Sequence, residues 1–235
     1  MTGRGLPAAA QIARLHLQSL YRLDDRGRVA EVREPDPPPP PRFVLFRTHE
    51  DVQALVGAHL PDALAPQLVA LAADEPPTPD APPKHLARYR SLLGAHREIE
   101  REYAGPSLYL PGPFGEVVGV RKVEAHDRDL LQRHFPDEAR DFEARSPIYA
   151  AVEGGVAVAI CFCSRDFGPG APAGVFTIET HRGRGHARRV AAAWAAEITR
   201  LGSVPLYGTT WDNLASRAIA ARLGAVMLGS DFWIR

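Results

Sequence analysis

The stretch Thr180-His181-Arg182-Gly183-Arg184-Gly185-His186-Ala187-Arg188-Arg189, THRGRGHARR, gathers six potentially cationic side chains and two glycines into ten residues. It lies where a strand-like run gives way to a helix-like one. A helix start already carries partial positive charge from unpaired N–H groups and aligned peptide dipoles, so four arginines there are unfavourable unless something negative faces them. From Thr180 to Ala196 the sequence holds no Asp or Glu, and the nearest acids are Glu179 and Glu197. These residues point to a bound anion; the other reading is a solvated basic face on an arginine-rich protein.

The whole chain narrows the choice of anion. Its 235 residues are 45% hydrophobic and 24% charged, an ordinary globular composition with material for one large core or two small ones. The formal net charge is zero, so no chain-wide field draws it to nucleic acid, and the basic cluster is local. The two cysteines, Cys161 and Cys163, lie two apart in an apolar strand-like run; they read as buried thiols, and with no third cysteine a metal site is not expected. The N-terminal run has Arg14, His16 and Gln18 among its apolar residues, which suits an amphipathic helix rather than a signal peptide. No apolar run approaches membrane-spanning length, and the expected home is a reducing cytoplasm.

Along the chain, Pro35–Arg42 (PDPPPPPR) and Pro76–Pro83 (PPTPDAPP) are too proline-rich for helix or central strand and punctuate the first half. Around them the pattern predicts a helix over Ala8–Leu20, a strand at Arg42–Thr48, a helix over Asp51–Ala73 broken at Pro61, and a helix over Lys84–Tyr103. The second half predicts a strand ending at Val123, a short helix at Asp127–His134, and a hairpin over Pro147–Cys163 turning on Gly154-Gly155. A strand at Ala171–Ile178, the basic turn, and a helix to Leu201 stopped by Gly202 follow. A strand at Pro205–Trp211, a helix capped by Asp212 or Asn213 and ending at Gly224, and a strand over Ala225–Arg235 close the chain.

Three phosphate-binding designs place glycines after a strand. A Walker loop needs a lysine after its second glycine, and no lysine follows Lys122. A dinucleotide fingerprint needs a third glycine where this chain has Arg188, and an acid near the end of the next strand, where it has apolar residues, Tyr207 and threonine. The run Arg182-Gly183-Arg184-Gly185-His186-Ala187 instead resembles the R-x-x-G-x-G/A signature of the GNAT superfamily of N-acetyltransferases. One strand later, Trp211–Ala225 (WDNLASRAIAARLGA) is similar to that family's N-x-x-A/S helix ending in Leu-Gly.

The resemblance covers roughly residues 116–235 and implies an α/β (α+β) fold, a mixed and mostly antiparallel sheet flanked by helices, as a domain over 113–235. Residues 1–112 would then be a separate region of strands and helices, an incomplete second copy or a cap, with no second such loop. The resemblance implies acetyl-CoA as co-substrate. Its diphosphate would lie on Arg182, Gly183, Arg184, Gly185, His186 and Ala187, where glycines let N–H groups close on phosphate oxygens. Its arm would lie along Val175, Phe176 and Thr177 as an added strand, with Asn213 and Ser216 touching it. Asn213 is equally explained as a helix cap, and His181 and His186 as solvated side chains.

The implied reaction is direct attack by an amine, from a small molecule or a peptide or protein N-terminus, on the thioester. It needs a base, an oxyanion donor such as the N–H of Val175 or Phe176, and an acid for the leaving thiolate. The family's usual tyrosine, four residues before the Leu-Gly glycine, is Ala220 here, and the strand before the loop carries no carboxylate. Glu179, Asp212, Glu153 or His181 acting through water remain as bases, and Tyr207 or Ser216 as acid, beside a cleft expected around Phe176, Tyr207 and Trp211. The alternative is an acyl-CoA sensor or partner-binding module without catalysis. No nucleic-acid or membrane partner is expected, and the state is monomer or homodimer.

Overall fold

A computed structural model describes residues 9–235, so the expected helix start at Ala8 lies outside the described residues. In chain order the elements are α1 (Ala9–Leu20), β1 (Tyr21–Leu23), β2 (Val29–Val32), β3 (Phe43–Arg47), β4 (Val52–Val56), α2 (Ala65–Ala73), α3 (Leu86–His96) and β5 (Glu102–Tyr109). There follow β6 (Arg121–Val123), α4 (Pro136–Arg140), α5 (Phe142–Arg145), β7 (Ile148–Glu153), β8 (Val156–Cys163), β9 (Gly170–Thr177), α6 (His186–Arg200), β10 (Val204–Gly208), α7 (Leu214–Arg222) and β11 (Val226–Ile234). No helix among the described residues is long and apolar enough to cross a membrane. The chain divides into two compact units. One takes the leading segment to Ser19, Leu108–Tyr207 and Leu214–Val226; the other takes Leu20–Ser107, Gly208–Asn213 and Met227–Arg235.

In the first unit the strands run in the order β10-β9-β8-β7-β6. The pairs β6–β7, β7–β8 and β8–β9 are antiparallel, and β9–β10 is parallel, the mixed sheet that the sequence predicts. One face packs on α6, where Val190, Ala191, Trp194, Ala195 and Ile198 form a buried stripe at helical spacing. Tyr207, Ala220 and both free cysteines belong to the same core. The other face is covered by Leu131, Phe135, Ala139 and Phe142 over Ile148, Ile160 and Phe162. The short helix expected at 127–134 is instead a 3-10 turn, Ala125–Leu130, and the covering is continued by α4 and α5. The strand expected to reach Val123 is only three residues long.

In the second unit β3 pairs antiparallel with both β4 and β11, in the order β4-β3-β11-β5. The helix expected over Asp51–Ala73 is a strand followed by a shorter helix. Thr48 explains the strand: its Oγ1 accepts the N–H groups of Glu50 and Asp51, closing a turn that returns Val52–Val56 against β3. The helix expected over Lys84–Tyr103 is likewise cut short, by two remote charged residues. Glu75 accepts the backbone N–H groups of Lys84 and His85, each at 2.8 Å, at the head of α3. Fully buried Arg42 donates to the carbonyls of Leu93, Arg97 and Glu98 at its foot. An anion at the N-terminus and a cation at the C-terminus match the helix dipole and take up orphan backbone groups.

The segment 208–213 leads into α7 and is held by β5. Tyr103 donates its hydroxyl to the Thr209 carbonyl at 2.9 Å, and the Trp211 N–H donates to Ala104. Gly105 makes this possible, because a Cβ there would fall inside contact distance of the Thr209 carbonyl. Gly105→Ala is therefore expected to cost about 1–3 kcal/mol, through overpacking against backbone. A fall in the urea midpoint measures it, and an unchanged midpoint would show that the segment is not clamped there.

Candidate functional site

The site begins where β9 and β10 part. Their parallel register is Val204↔Gly170, Pro205↔Ala171 and Leu206↔Pro172. Beyond it β9 stays paired with β8 as far as Thr177, so one edge of residues 173–177 has no β10 partner. Strand geometry says which groups face that edge. The Ser164 N–H donates to Pro172 O, and the Ile178 N–H donates to Val158 O. Even-numbered residues from 172 to 178 thus turn their backbone toward β8, and Ala173, Val175 and Thr177 turn theirs to the open edge. The five residues 173–177 span about 16 Å. The Thr177 hydroxyl oxygen is buried and lacks a hydrogen-bond partner.

Of the two oxyanion donors expected, the structure directs only the Val175 N–H to the open edge; that of Phe176 is turned to β8. The expected aromatic cleft does not form as a single wall either. Phe176 is 51% exposed and its ring lies 5.5 Å from Phe162, on the α4–α5 face. Tyr207 is buried on the α6 face. The two residues, one on β9 and one on β10, point to opposite faces of the sheet.

At the far end of the open edge a 3-10 turn, Glu179–His181, leads to the basic loop. Gly183 and Gly185 both have φ of +76°, a conformation that costs other residues about 1–2 kcal/mol, and a Cβ on either would meet nothing within 4 Å. Gly185 is the N-cap of α6, and no side chain caps that end. The loop's backbone is thus held open around an uncapped helix terminus.

One carboxylate does reach the loop, and it comes from the β7–β8 hairpin. Glu153 Oε2 lies 3.2 Å from His181 Nε2 and 3.7 Å from Arg184, and its Oε1 lies 3.2 Å from His186 Nε2. His186 is buried rather than solvated. Its Nδ1 accepts from the Arg189 guanidinium at 2.9 Å, which leaves the proton on Nε2, facing Glu153. Burial, with the charge of Arg189, lowers the His186 pKa and keeps the ring neutral at pH 7. Arg182 and Arg188 make no ion pair among the described residues, so Glu153 answers only part of the positive charge. Next to the first turns of α6 opens a cavity of about 490 Å³, walled by Arg188, Arg189 and Arg222 and by Phe114, with Glu116 also on its rim.

The remaining predicted residues divide between the ends of the open edge. Glu179 is exposed at the loop end. At the vertex, Tyr207 is the residue after the last β9–β10 pair, and its hydroxyl is 2.8 Å from Ser216 Oγ on α7. Asn213 belongs to the second unit and directly precedes α7, its N–H donating to Thr210 O. Glu153 gave no signal as a loop partner in sequence, being some thirty residues away. Among the described residues no group of three or more His, Cys, Asp or Glu side chains is placed to hold a metal.

A mixed sheet with a parted strand pair, followed by a glycine loop at an uncapped helix, defines an α+β protein in which an unpaired strand edge runs into a cationic helix start. Residues 151–234 match the family described as FR47-like protein. Among solved structures, the chain is similar to an acetyltransferase from the GNAT family of Novosphingobium aromaticivorans DSM 12444, at 18% identity and a TM-score of 0.53, over 77% of this chain and 81% of that one. It is also similar to a GCN5-related N-acetyltransferase-like protein from Streptococcus suis 89/1591, at 13% identity and a TM-score of 0.52, over 97% of this chain and 100% of that one. No curated protein matches the chain significantly. The chain thus shares the fold of these acetyltransferase structures, and its C-terminal region, which carries the glycine-arginine loop, is similar to the FR47-like family.

The position of Glu153 makes a testable demand. It competes with any anion for the loop, so Glu153→Gln is expected to tighten binding of CoA two- to fivefold at low salt, the scale of a part-exposed ion pair. Isothermal titration of the two proteins checks this. Weaker binding by the variant would instead make Glu153 an organiser of the loop.

Proposed function

We propose that this chain transfers an acetyl group from acetyl-CoA to an amine by direct attack. The observation that carries the reading is the continuity of two features: the open backbone edge of Ala173, Val175 and Thr177 runs into the uncapped, cationic start of α6. Few ligands need both. An extended amide-bearing arm pairs with the strand edge, and a diphosphate at its end meets the N–H groups of the loop. The co-substrate supplies a thioester whose carbonyl carbon is open to a nitrogen nucleophile.

The residues divide the work accordingly. Arg182, Gly183, Arg184, Gly185, His186 and Ala187 hold the diphosphate, and the arginine-walled cavity beside them suits the nucleoside end. Val175 and Thr177 hold the arm, with the Val175 N–H as the oxyanion donor, while Phe176 stands beside the acceptor side. Ser216 meets the arm from the start of α7. Glu179, exposed at the loop end, acts on an ammonium only through water. The acceptor amine belongs to a small molecule or to the N-terminus of a peptide or protein. A binding-only protein is the second reading, and Ala220 favours it: the family's tyrosine position is 2% exposed and packed into the core.

A thermal melt with excess acetyl-CoA, CoA, ATP or NAD tests the cofactor. At a hundred times its Kd a ligand stabilises by about 2.7 kcal/mol, so the CoA pair is expected to raise the Tm while ATP and NAD leave it unmoved. Gly185→Asp, which places a carboxylate where phosphate belongs, is expected to remove that shift; a variant that still responds fully would refute the loop assignment. Release of thiol with a panel of amines separates enzyme from sensor.

A further inference from the structure

Ala220 leaves the departing thiolate without the family's usual proton donor, yet two hydroxyls meet at the vertex of the open edge. Ser216 and Ala220, four residues apart on α7, share the face turned to the sheet. Ser216 Oγ is 2.8 Å from the hydroxyl of Tyr207, the first residue of β10 beyond the strand pairing. An arm anchored at the loop and laid along Thr177, Val175 and Ala173 runs about 16 Å toward that vertex, which brings its reactive end to the pair.

We propose that Ser216 and Tyr207 form the proton-donating pair for the leaving thiolate, an inference that rests on the acetyl-CoA reading above. Ser216, half-buried on its helix, meets the sulfur; Tyr207, buried behind it, is the positioning residue. The acceptor's ammonium gives one proton to water, the resulting amine forms the nitrogen–carbon bond and releases its second proton to water, and the carbon–sulfur bond breaks with its electron pair going to sulfur. The Ser216 hydroxyl proton moves to that sulfur as the Tyr207 phenol proton moves to Ser216 Oγ, and water restores the pair through Ser216. Burial raises the Tyr207 pKa above the ordinary phenol value, so it holds its proton at any pH where amines are acylated.

The test needs no known acceptor, because the same pair must donate to the thiolate of bound CoA. A donor to the charged form lowers its pKa. The titration follows thiolate ultraviolet absorbance of the CoA complex, less that of the desulfo-CoA complex. The protein's own thiols stay silent, since burial pushes Cys163 up to about 12 and Cys161 well above its ordinary value. In the wild type the bound thiol is expected to ionise about one pH unit below free CoA, a tenfold change in ionisation constant. Ser216→Ala should abolish that shift, Tyr207→Phe should shrink it, and Ser216→Thr should keep it, with CoA still raising the Tm of all three. A bound thiol that ionises identically in wild type and Ser216→Ala, with binding intact, overturns the pair alone. Absence of CoA binding by the wild type overturns the cofactor reading and the pair together.

Discussion

The site depends on the early end of one parallel strand pairing. β10 follows β9 for three residue pairs and then leaves it, while β8 keeps β9 straight as far as Thr177. Half of the backbone groups over that stretch are thereby left without a strand partner on that side. Unpaired strand edges are ordinarily a hazard, and proteins cover them or shorten them. Here the edge is short, internal to the sheet order, and ends at a loop whose charge selects what can lie along it.

That selection is electrostatic and incomplete by construction. The loop concentrates arginine at a helix terminus that repels it, and Glu153 relieves part of the conflict through His181, His186 and Arg184. A fully neutralised loop would bind no anion, and a bare one would weaken the helix. Supplying the counter-charge from a hairpin turn leaves Arg182 and Arg188 for a ligand. The buried, neutral His186 accepts from Arg189 and turns its Nε2 toward the carboxylate.

Much of the fold was legible from local signals: the strand, loop and helix around Gly183, the glycine hairpin at Gly154-Gly155, and the apolar stripe of α6. What failed to show was set by partners remote in sequence. The ends of α3 are fixed by Glu75 and Arg42, and neither lies within the helix. The strand at Val52–Val56 was hidden because its apolar residues run on into a leucine pattern with helical spacing, and what makes it a strand is the Thr48 turn before it, which returns it against β3. In the candidate site the backbone positions could be read, but side-chain direction could not. Phe176 and Tyr207 point to opposite faces, and the meeting of Tyr207 with Ser216 depends on how α7 packs. The pairing of Glu153 with the loop likewise exists only once the hairpin is folded.

The cations near the proposed ligand are all guanidinium groups, and this bears on the protein's durability. Activated acyl thioesters acylate neutral amines without assistance, and a guanidinium is never neutral in a protein. The sequence contains only two lysines, Lys84 and Lys122. Lys84 is tied to Asp74 at 2.7 Å, and Lys122 lies 3.3 Å from Glu197 and 3.6 Å from Glu124. Burial works to lower the Lys122 pKa, but the hydrogen bond to Glu197 and the charge of Glu124 overcome it and keep the ammonium protonated. Under the acetyl-CoA reading proposed above, the fold would hold a reactive acyl donor while offering it only two lysine side chains, each paired with a carboxylate.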